Sequence, residues 1–279
     1  MSGEPLTNER SAKRPLVAVP SGEILGISHL VCSVRDVAEA EHWLGANGYV
    51  EHGSNASCPN HPAKAPFIAG LMAEFAKMNL MVAPNGSPAI EMTCEPAAEQ
   101  RTTFYEAVLS ENPLCGADAV RASLRDDAAA GLEGFRRTES SARVGGVGAL
   151  VLHCRSTLET LPLWHALGVS EEILDGGLVR IRVRGFRSNN RLHIYLISDR
   201  TDRAVANLND GGIVCLSFFC RDADRLRVAL AEAGYDVGDC FTVSPFGSPL
   251  RIFFMRNTSG EVYEFLSVAA RAPDGEAQC

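Results

Sequence analysis

Two stretches of the chain decide the fold: residues 26–36 read GISHLVCSVRD, and residues 212–222 read GIVCLSFFCRD. The stretches register without a gap, and each is a short apolar segment that ends in Arg-Asp. The aspartate is typical of a helix start, because its carboxylate can accept the free N–H groups of the first turn. Each predicted helix runs into a Gly-Tyr pair, and glycine is the usual left-handed helix stop. The pattern therefore predicts a strand followed by a helix in both places.

A third copy occupies residues 146–156, which read GVGALVLHCRS. We expect Ser156 to cap its helix and Gly168 to end it. A fainter fourth copy begins with a strand-like stretch at Gly116, but too little chain separates it from the third copy for a complete unit. This fourth copy is therefore expected to be either truncated or no true copy.

The complete copies share an ending, which is a turn followed by a strand. It reads PNGSPAIE in residues 84–91 and NTSGEVYE in residues 257–264, and NNRLH takes its place in residues 189–193. Each unit thus reads as a strand, a helix and two or three further strands. We predict an α+β fold class, with βαβββ order in residues 24–94, 146–200 and 211–268.

These starts and endings resemble the vicinal oxygen chelate superfamily, which includes glyoxalase I, extradiol ring-cleavage dioxygenases and bleomycin-resistance proteins. The resemblance covers residues 24–94 and 146–268. It implies tandem βαβββ modules that pair into open, cup-shaped mixed sheets, with a metal site inside the cup.

The resemblance also implies a division of the chain into two domains between two tails. The N-terminal domain contains a module and a degenerate module, and the C-terminal domain contains two modules. The expected bounds are a disordered tail over 1–23, a domain over 24–145 (modules 24–94 and about 100–145), a domain over 146–270 (modules 146–200 and 211–268) and a tail over 271–279.

The superfamily's metal ligands lie early on the opening strand of a module and at the glutamate of its closing strand. By the resemblance these positions hold His29 and Glu91 in the first module, Ala149 and His193 in the third, and Cys215 and Glu264 in the fourth. Ring-cleaving members draw their ligands from the last two modules. Because alanine cannot bind a metal and both expected histidines are missing there, ring cleavage is disfavoured.

Two ways of pairing the modules would still bring a set of metal-binding side chains together, and the sequence does not decide between them. If the first and fourth modules form one cup, His29, Glu91, Cys215 and Glu264 converge. If the third and fourth modules form it, the converging residues are His153, His193, Cys215 and Glu264.

The resemblance implies roles for these residues. His29, Glu91 and Glu264 are the metal ligands, and Glu264 or Glu91 also moves a proton. The expected substrate contacts are His153, His193, Tyr195 and Cys215. Cys58 and His61 lie close together in a short segment, but no second pair of ligands accompanies them to complete a four-ligand metal site. The segment is therefore expected to cover the cup.

The implied function is a metal-dependent enzyme that acts on a small oxygen-rich molecule, as a lyase or isomerase. The cofactor that the resemblance allows is a divalent ion (Fe, Zn, Mn or Ni). The alternative is a metal-free protein that sequesters a small molecule, as resistance members do.

Composition and motifs limit the partners, the cofactors and the location that we expect for this protein. The chain of 279 residues carries a formal charge of −8, the wrong sign for binding a phosphate backbone. Nine cysteines without a Cys-x-x-Cys pair, and the lack of a long apolar run, favour a reduced, cytoplasmic protein without a membrane span. No phosphate-binding glycine motif occurs, so no nucleotide cofactor is expected. The expected partners are a small molecule and, as one option, a second copy of the chain in a homodimer.

Overall fold

The computed structural model describes residues 23–94, 104–110, 114, 116–125, 132–137, 146–174, 178–186, 190–200 and 205–269. The predicted N-terminal tail up to residue 22, the predicted C-terminal tail over 271–279 and the predicted domain boundary at residue 145 lie outside the described residues.

The chain is built from three complete modules and one short one. The first has β1 (Ile24–Ser33), α1 (Val37–Ala46), β2 (Val50–Pro59), a 3₁₀ helix (Pro62–Phe67), β3 (Phe75–Val82) and β4 (Ala89–Cys94). The short second module has β5 (Tyr105–Leu109), α2 (Ala117–Arg125) and β6 (Phe135–Arg137). The third has β7 (Val147–Cys154), α3 (Thr157–Ala166), β8 (Glu171–Ile173), β9 (Val179–Arg184) and β10 (Arg191–Ser198). The fourth has β11 (Gly212–Cys220), α4 (Ala223–Glu232), β12 (Asp236–Val237), β13 (Phe241–Val243), β14 (Leu250–Arg256) and β15 (Val262–Val268).

The predicted helix starts are present, with one difference in detail. Asp36 accepts hydrogen bonds from the N–H groups of Ala38 and Glu39, and Asp222 accepts one from Arg225. Ser156 holds the equivalent position before α3, but its side chain makes no capping hydrogen bond. The glycine stops that follow α1, α3 and α4 all have positive φ angles. The repeat therefore predicts where the helices begin and end.

The prediction of a strand that begins at Gly116 is wrong. Residues 117–125 form α2, and the opening strand of the second module is β5, which lies earlier in the chain. Alanine and arginine favour a helix there. Val120, on α2, packs into a small apolar cluster with Val108 and Ala149, and this burial stabilises the helix.

The strand pairing groups the modules differently from their order in the chain. β1 pairs antiparallel with β11, so the first module joins the fourth, and β5 pairs antiparallel with β7, so the second joins the third. We call β1–β4 with β11–β15 the first cup, and β5–β10 the second cup. The pair between Ile213 and Tyr105 links them into one 15-stranded sheet, and an isolated bridge between Ile27 and Gly185 joins the two cups as well. β1 thus hydrogen-bonds to a strand of the C-terminal half, and the domain bounds of 24–145 and 146–270 stay a prediction.

The two cups also share packed contacts. Trp164, on α3, is fully buried and packs its ring against Phe218 and Tyr263, on the side of the first cup opposite to Glu264. At the start of β1, Gly26 has a φ of 147°, and a Cβ there would lie 2.6 Å from the carbonyl oxygen of Arg184. Only glycine fits this close approach without strain. In the described part of the chain, no helix has the length and apolar character needed to cross a membrane.

Candidate functional site

The concave face of the first cup brings three ionisable side chains together. His29 lies on β1, Glu91 on β4 and Glu264 on β15, and the strands beside them place all three on one face. The Nε2 atom of His29 lies 3.4 Å from a carboxylate oxygen of Glu91 and 3.2 Å from one of Glu264. The pairing of the first and fourth modules therefore assembles the first of the two predicted residue sets.

The His29 ring is held at one nitrogen and left without a hydrogen bond at the other. Its Nδ1 atom lies 3.0 Å from the Ser28 hydroxyl oxygen. Its buried Nε2 atom makes no hydrogen bond among the described residues, because neither carboxylate contact has hydrogen-bond geometry. A buried ring nitrogen without a hydrogen bond is costly. The arrangement thus leaves a nitrogen donor facing two carboxylates.

Ser217 and Cys215 complete the wall of the site on β11. Ser217 lies opposite His29 in the strand register, and its hydroxyl donates a hydrogen bond to the Glu264 carboxylate. Cys215 is fully buried, and burial raises the pKa of its thiol, as do the charges of Glu264 and Glu91. Cys215 is therefore a protonated thiol beside the carboxylates in this structure.

The two carboxylates differ in acidity. Burial raises the pKa of Glu91 by more than the charge of His29 lowers it; the charge of Glu264 adds to the rise, and the charge of Lys64 opposes it. Burial also acts to raise the pKa of Glu264, but contacts with His29 and Ser217 outweigh it, so this pKa lies below its usual value. Burial acts to lower the pKa of His29, yet the two carboxylates raise it above 6.5 overall. Two nearby carboxyl groups with opposite pKa shifts are typical of an acid and base pair.

A segment of the first module, which we call the cover segment (residues 60–67), packs over the fourth module. The Phe67 ring lies 5.7 Å from the Phe254 ring, and His61 stacks on Phe241 at 4.6 Å. Phe254 lies opposite Glu264 in the β14–β15 register, so it shares the concave face. The segment beginning near Cys58 therefore covers part of the cup, in line with the sequence prediction.

His153 lies in the second cup, away from this site. Its Nδ1 atom is 2.8 Å from an Asp199 oxygen, and its Nε2 atom is 3.8 Å from an oxygen of Glu106. Glu106 also accepts two hydrogen bonds from Arg136. Burial acts to raise the pKa of Glu106, but these partners outweigh it and bring the pKa to about 2.

The other predicted residues of the third module also lie in the second cup. His193 Nδ1 and the Tyr195 hydroxyl both contact the carbonyl oxygen of Leu114, at 2.9 and 2.7 Å. Ala149 is fully buried in the apolar cluster beneath α2. The second predicted set, His153 and His193 with Cys215 and Glu264, does not converge, because β7 pairs with β5 and β10 while β11 pairs with β1, β5 and β15.

The donor types at His29, Glu91 and Glu264 fit a divalent metal ion. Two donors that each lie about 2.0–2.2 Å from an ion are about 3.0–3.5 Å apart, and both His29 contacts fall in this range. As they stand, however, no three or more His, Cys, Asp or Glu side chains of the described residues are grouped as a complete metal site. The Nε2 atom, which makes no hydrogen bond among the described residues, is the feature that a metal ion would satisfy.

The overall architecture is that of the vicinal oxygen chelate fold, and comparison with solved structures supports this. The chain is similar to a "putative dioxygenase" from Bacillus subtilis, with 13% identity and a TM-score of 0.56 over 90% of this chain and 87% of that chain. It is also similar to glyoxalase I from Zea mays, with 10% identity and a TM-score of 0.51 over 87% of this chain and 92% of that chain. A mutant of the Zea mays enzyme gives 12% identity and a TM-score of 0.53 over 87% and 92% of the two chains.

No protein-family profile matches the chain, and no curated protein sequence does. At these identities, the structural likeness establishes the fold alone.

Sequence reasoning missed two residues near the site, Ser217 and Lys64. Ser217 could have been found from strand alternation, because it lies two places after Cys215 and so shares its face. Lys64 carries no comparable signal, because its position depends on how the cover segment folds over the cup.

Proposed function

We propose that the chain is an enzyme of the vicinal oxygen chelate type that binds a divalent metal ion through His29, Glu91 and Glu264. It would act on a small oxygen-rich molecule by proton transfer, as a lyase or isomerase. The observation that carries this proposal is the buried Nε2 atom of His29, which faces two carboxylates without a hydrogen bond. A bound divalent ion supplies Lewis-acid polarisation of adjacent substrate oxygens.

Glu91, Glu264 and the cover segment have different roles in the proposed reaction. Glu91 has a raised pKa and a side chain that is 19% exposed, so it can hold a proton and exchange it with a bound molecule. Glu264 is held by the Ser217 hydroxyl and keeps its charge, so it anchors the His29 ring. The cover segment reduces the access of water to this face.

Metal analysis of protein purified without chelator and then exposed to Fe²⁺, Zn²⁺, Mn²⁺ or Ni²⁺ tests the proposal. We expect about one ion per chain in the wild-type protein and a large loss in His29→Ala. The matched control is His165→Ala, because His165 pairs with Glu171 at the surface, outside the site. Retention of metal by His29→Ala, or no retention by the wild-type protein, would contradict the proposal.

A metal-free binding protein is the second candidate function. The fully buried, protonated Cys215 thiol and the incomplete grouping of donors among the described residues favour it. This candidate predicts a wild-type protein that binds a small organic ligand in the first cup and retains no divalent ion. The same metal analysis therefore separates the two candidates.

A further inference from the structure

We propose that Lys64, on the cover segment, binds an anionic group of the substrate. The substrate class would then be a small organic anion whose carboxylate or phosphate group lies beside the atoms held at His29, Glu91 and Glu264. This inference rests on the proposed function, because it takes the first cup to be the substrate site.

The cover segment is fixed in place, and its Lys64 backbone with it. The Leu208 N–H donates to the carbonyl oxygen of Phe67 at 2.7 Å, and Asn209 exchanges two hydrogen bonds of 2.9 Å with the backbone of Ala69. Phe67 is buried, and the Arg256 guanidinium lies over its ring at 5.1 Å. Contacts from the fourth module and from the residues just before it thus hold the end of the segment against the cup.

The Lys64 ammonium is half-buried and has only a neutral partner among the described residues. It donates to Asn60 Oδ1 at 3.3 Å, and the Asn60 amide donates to the Ala73 carbonyl at 3.0 Å. Lys64 makes no salt bridge with a carboxylate in the described part of the chain. A half-buried cation without a counter-ion is well suited to an anionic ligand, because the surroundings strengthen its charge–charge attraction.

The Lys64 charge acts on the site carboxylates. It lowers the pKa values of Glu91, Glu264 and Cys58 relative to what burial alone would give. Lys64 lies on the same 3₁₀ helix as Phe67, and Phe67 contacts Phe254, which lies opposite Glu264, so Lys64 belongs to the segment that packs on the concave face. A ligand bound beside His29 would therefore meet this charge.

Charge balance at the site leaves Lys64 as the unmatched cation. With a divalent ion present, Glu91 and Glu264 together balance the charge of the ion. No carboxylate of the described residues forms a salt bridge with Lys64, whereas both site carboxylates contact His29. Lys64 thus supplies a positive charge on the cover segment, although the whole chain carries a formal charge of −8.

The test compares isobutyrate with isobutyramide, which match in shape and differ in charge. Methylphosphonate serves as the phosphate-like probe. Dissociation constants are measured by NMR shift titration at neutral pH, for wild type, Lys64→Met and Lys64→Arg. The control is Lys77→Met, which makes the same change in net charge at an exposed site on β3.

We expect the wild-type protein to bind isobutyrate at least about fivefold more tightly than isobutyramide, and Lys64→Met to reduce this ratio to about one. Lys64→Arg should keep most of the preference, and Lys77→Met should keep all of it. Tighter binding of methylphosphonate than of isobutyrate would indicate the phosphate class, and the reverse would indicate the carboxylate class.

The inference is overturned if the wild-type protein shows no preference for the anions, including no binding of any probe. It is also overturned if Lys64→Met keeps the preference or if Lys77→Met loses it equally. The titrations are run on metal-exposed and chelator-treated protein. Anion preference without metal retention would refute the proposed metal site alone, and metal retention without anion preference would refute the role of Lys64 alone.

Discussion

Replacing Glu264 with glutamine should weaken the fold in a pH-dependent way. The Glu264→Gln side chain keeps its shape and can still accept the Ser217 hydroxyl hydrogen bond, but it loses the negative charge beside His29. Contact with Glu264 is the largest of the effects that raise the pKa of His29. The pKa of His29 should therefore fall in the variant.

The size of the effect follows from the burial of the pair, since both side chains are at most 10% exposed. Breaking a buried ion pair costs about 3–5 kcal/mol, and a hydrogen bond to a charged group contributes about 1.5–3 kcal/mol. Because Ser217 remains bonded and Glu91 still attracts His29, we expect the lower range, about 1.5–3 kcal/mol. At roughly 2–4 °C per kcal/mol for a protein of this size, Tm should fall by about 3–12 °C.

The sign of the pH dependence is fixed by the two pKa shifts. The raised pKa of His29 contributes stability that is complete below pH 6.5 and is lost as pH rises through the folded-state value. The lowered pKa of Glu264 contributes stability that is complete above pH 4.5 and is lost as pH falls through the folded-state value. The pair is thus strongest between pH 4.5 and 6.5.

Thermal unfolding of chelator-treated protein at pH 6 and pH 9 measures this effect. The loss of Tm in Glu264→Gln should be larger at pH 6 than at pH 9. Glu171→Gln is the control, because Glu171 pairs with His165 in a largely exposed contact that contributes little. An equal loss at both pH values, or no loss, would refute the reasoning.

Three further predictions concern the fold and the reaction. Gly26→Ala should destabilise the protein by about 2 kcal/mol or more in denaturant unfolding, because its Cβ would meet the Arg184 backbone. The control Gly45→Ala, in α1 with open space around it, should stabilise the protein by about 0.5–1 kcal/mol. Equal effects of the two substitutions would contradict the close approach at β1. Asp36→Ala should cost about 1 kcal/mol and Ser156→Ala much less, because only Asp36 makes capping hydrogen bonds; the reverse order would show that the capping geometry is wrong. Fe²⁺ and catechols should give no ring-cleavage product, since the third module has no imidazole in the first cup; rapid formation of a yellow product under air would contradict this.

Much of the fold could be predicted because the repeat fixes local structure. The Arg-Asp starts predict α1 and α4, and Asp36 and Asp222 cap them as expected. Local signals of this kind act within one helical turn, so a single sequence carries them. The stretch over residues 116–126 also ends in Arg-Asp, yet residues 117–125 form α2, so the same local signal predicts the wrong element there.

The pairing of the modules could not be predicted, because it depends on contacts between distant parts of the chain. The cost of closing a long loop grows only slowly with its length, so chain separation does not favour one pairing over another. The β1–β11 register decides it, where His29 faces Ser217 and Val31 faces Cys215. Neither strand carries a local sequence pattern that identifies the strand with which it pairs.

The candidate site was predictable only in part, because its assembly also depends on which modules pair. His29 and Glu264 follow from their places on the opening and closing strands, and the structure brings both to one face with Glu91. Their roles as ligands stay a prediction. His193 and Tyr195 instead contact the Leu114 carbonyl in the second cup, because the third module pairs with β5.

Anomalous diffraction from crystals of the full chain grown with Mn²⁺ tests the central claim most directly. The account predicts one strong peak in the first cup, about 2.0–2.3 Å from His29 Nε2 and from carboxylate oxygens of Glu91 and Glu264. A peak elsewhere, or a first cup in which His29 binds only protein groups at saturating Mn²⁺, would contradict the proposed metal centre.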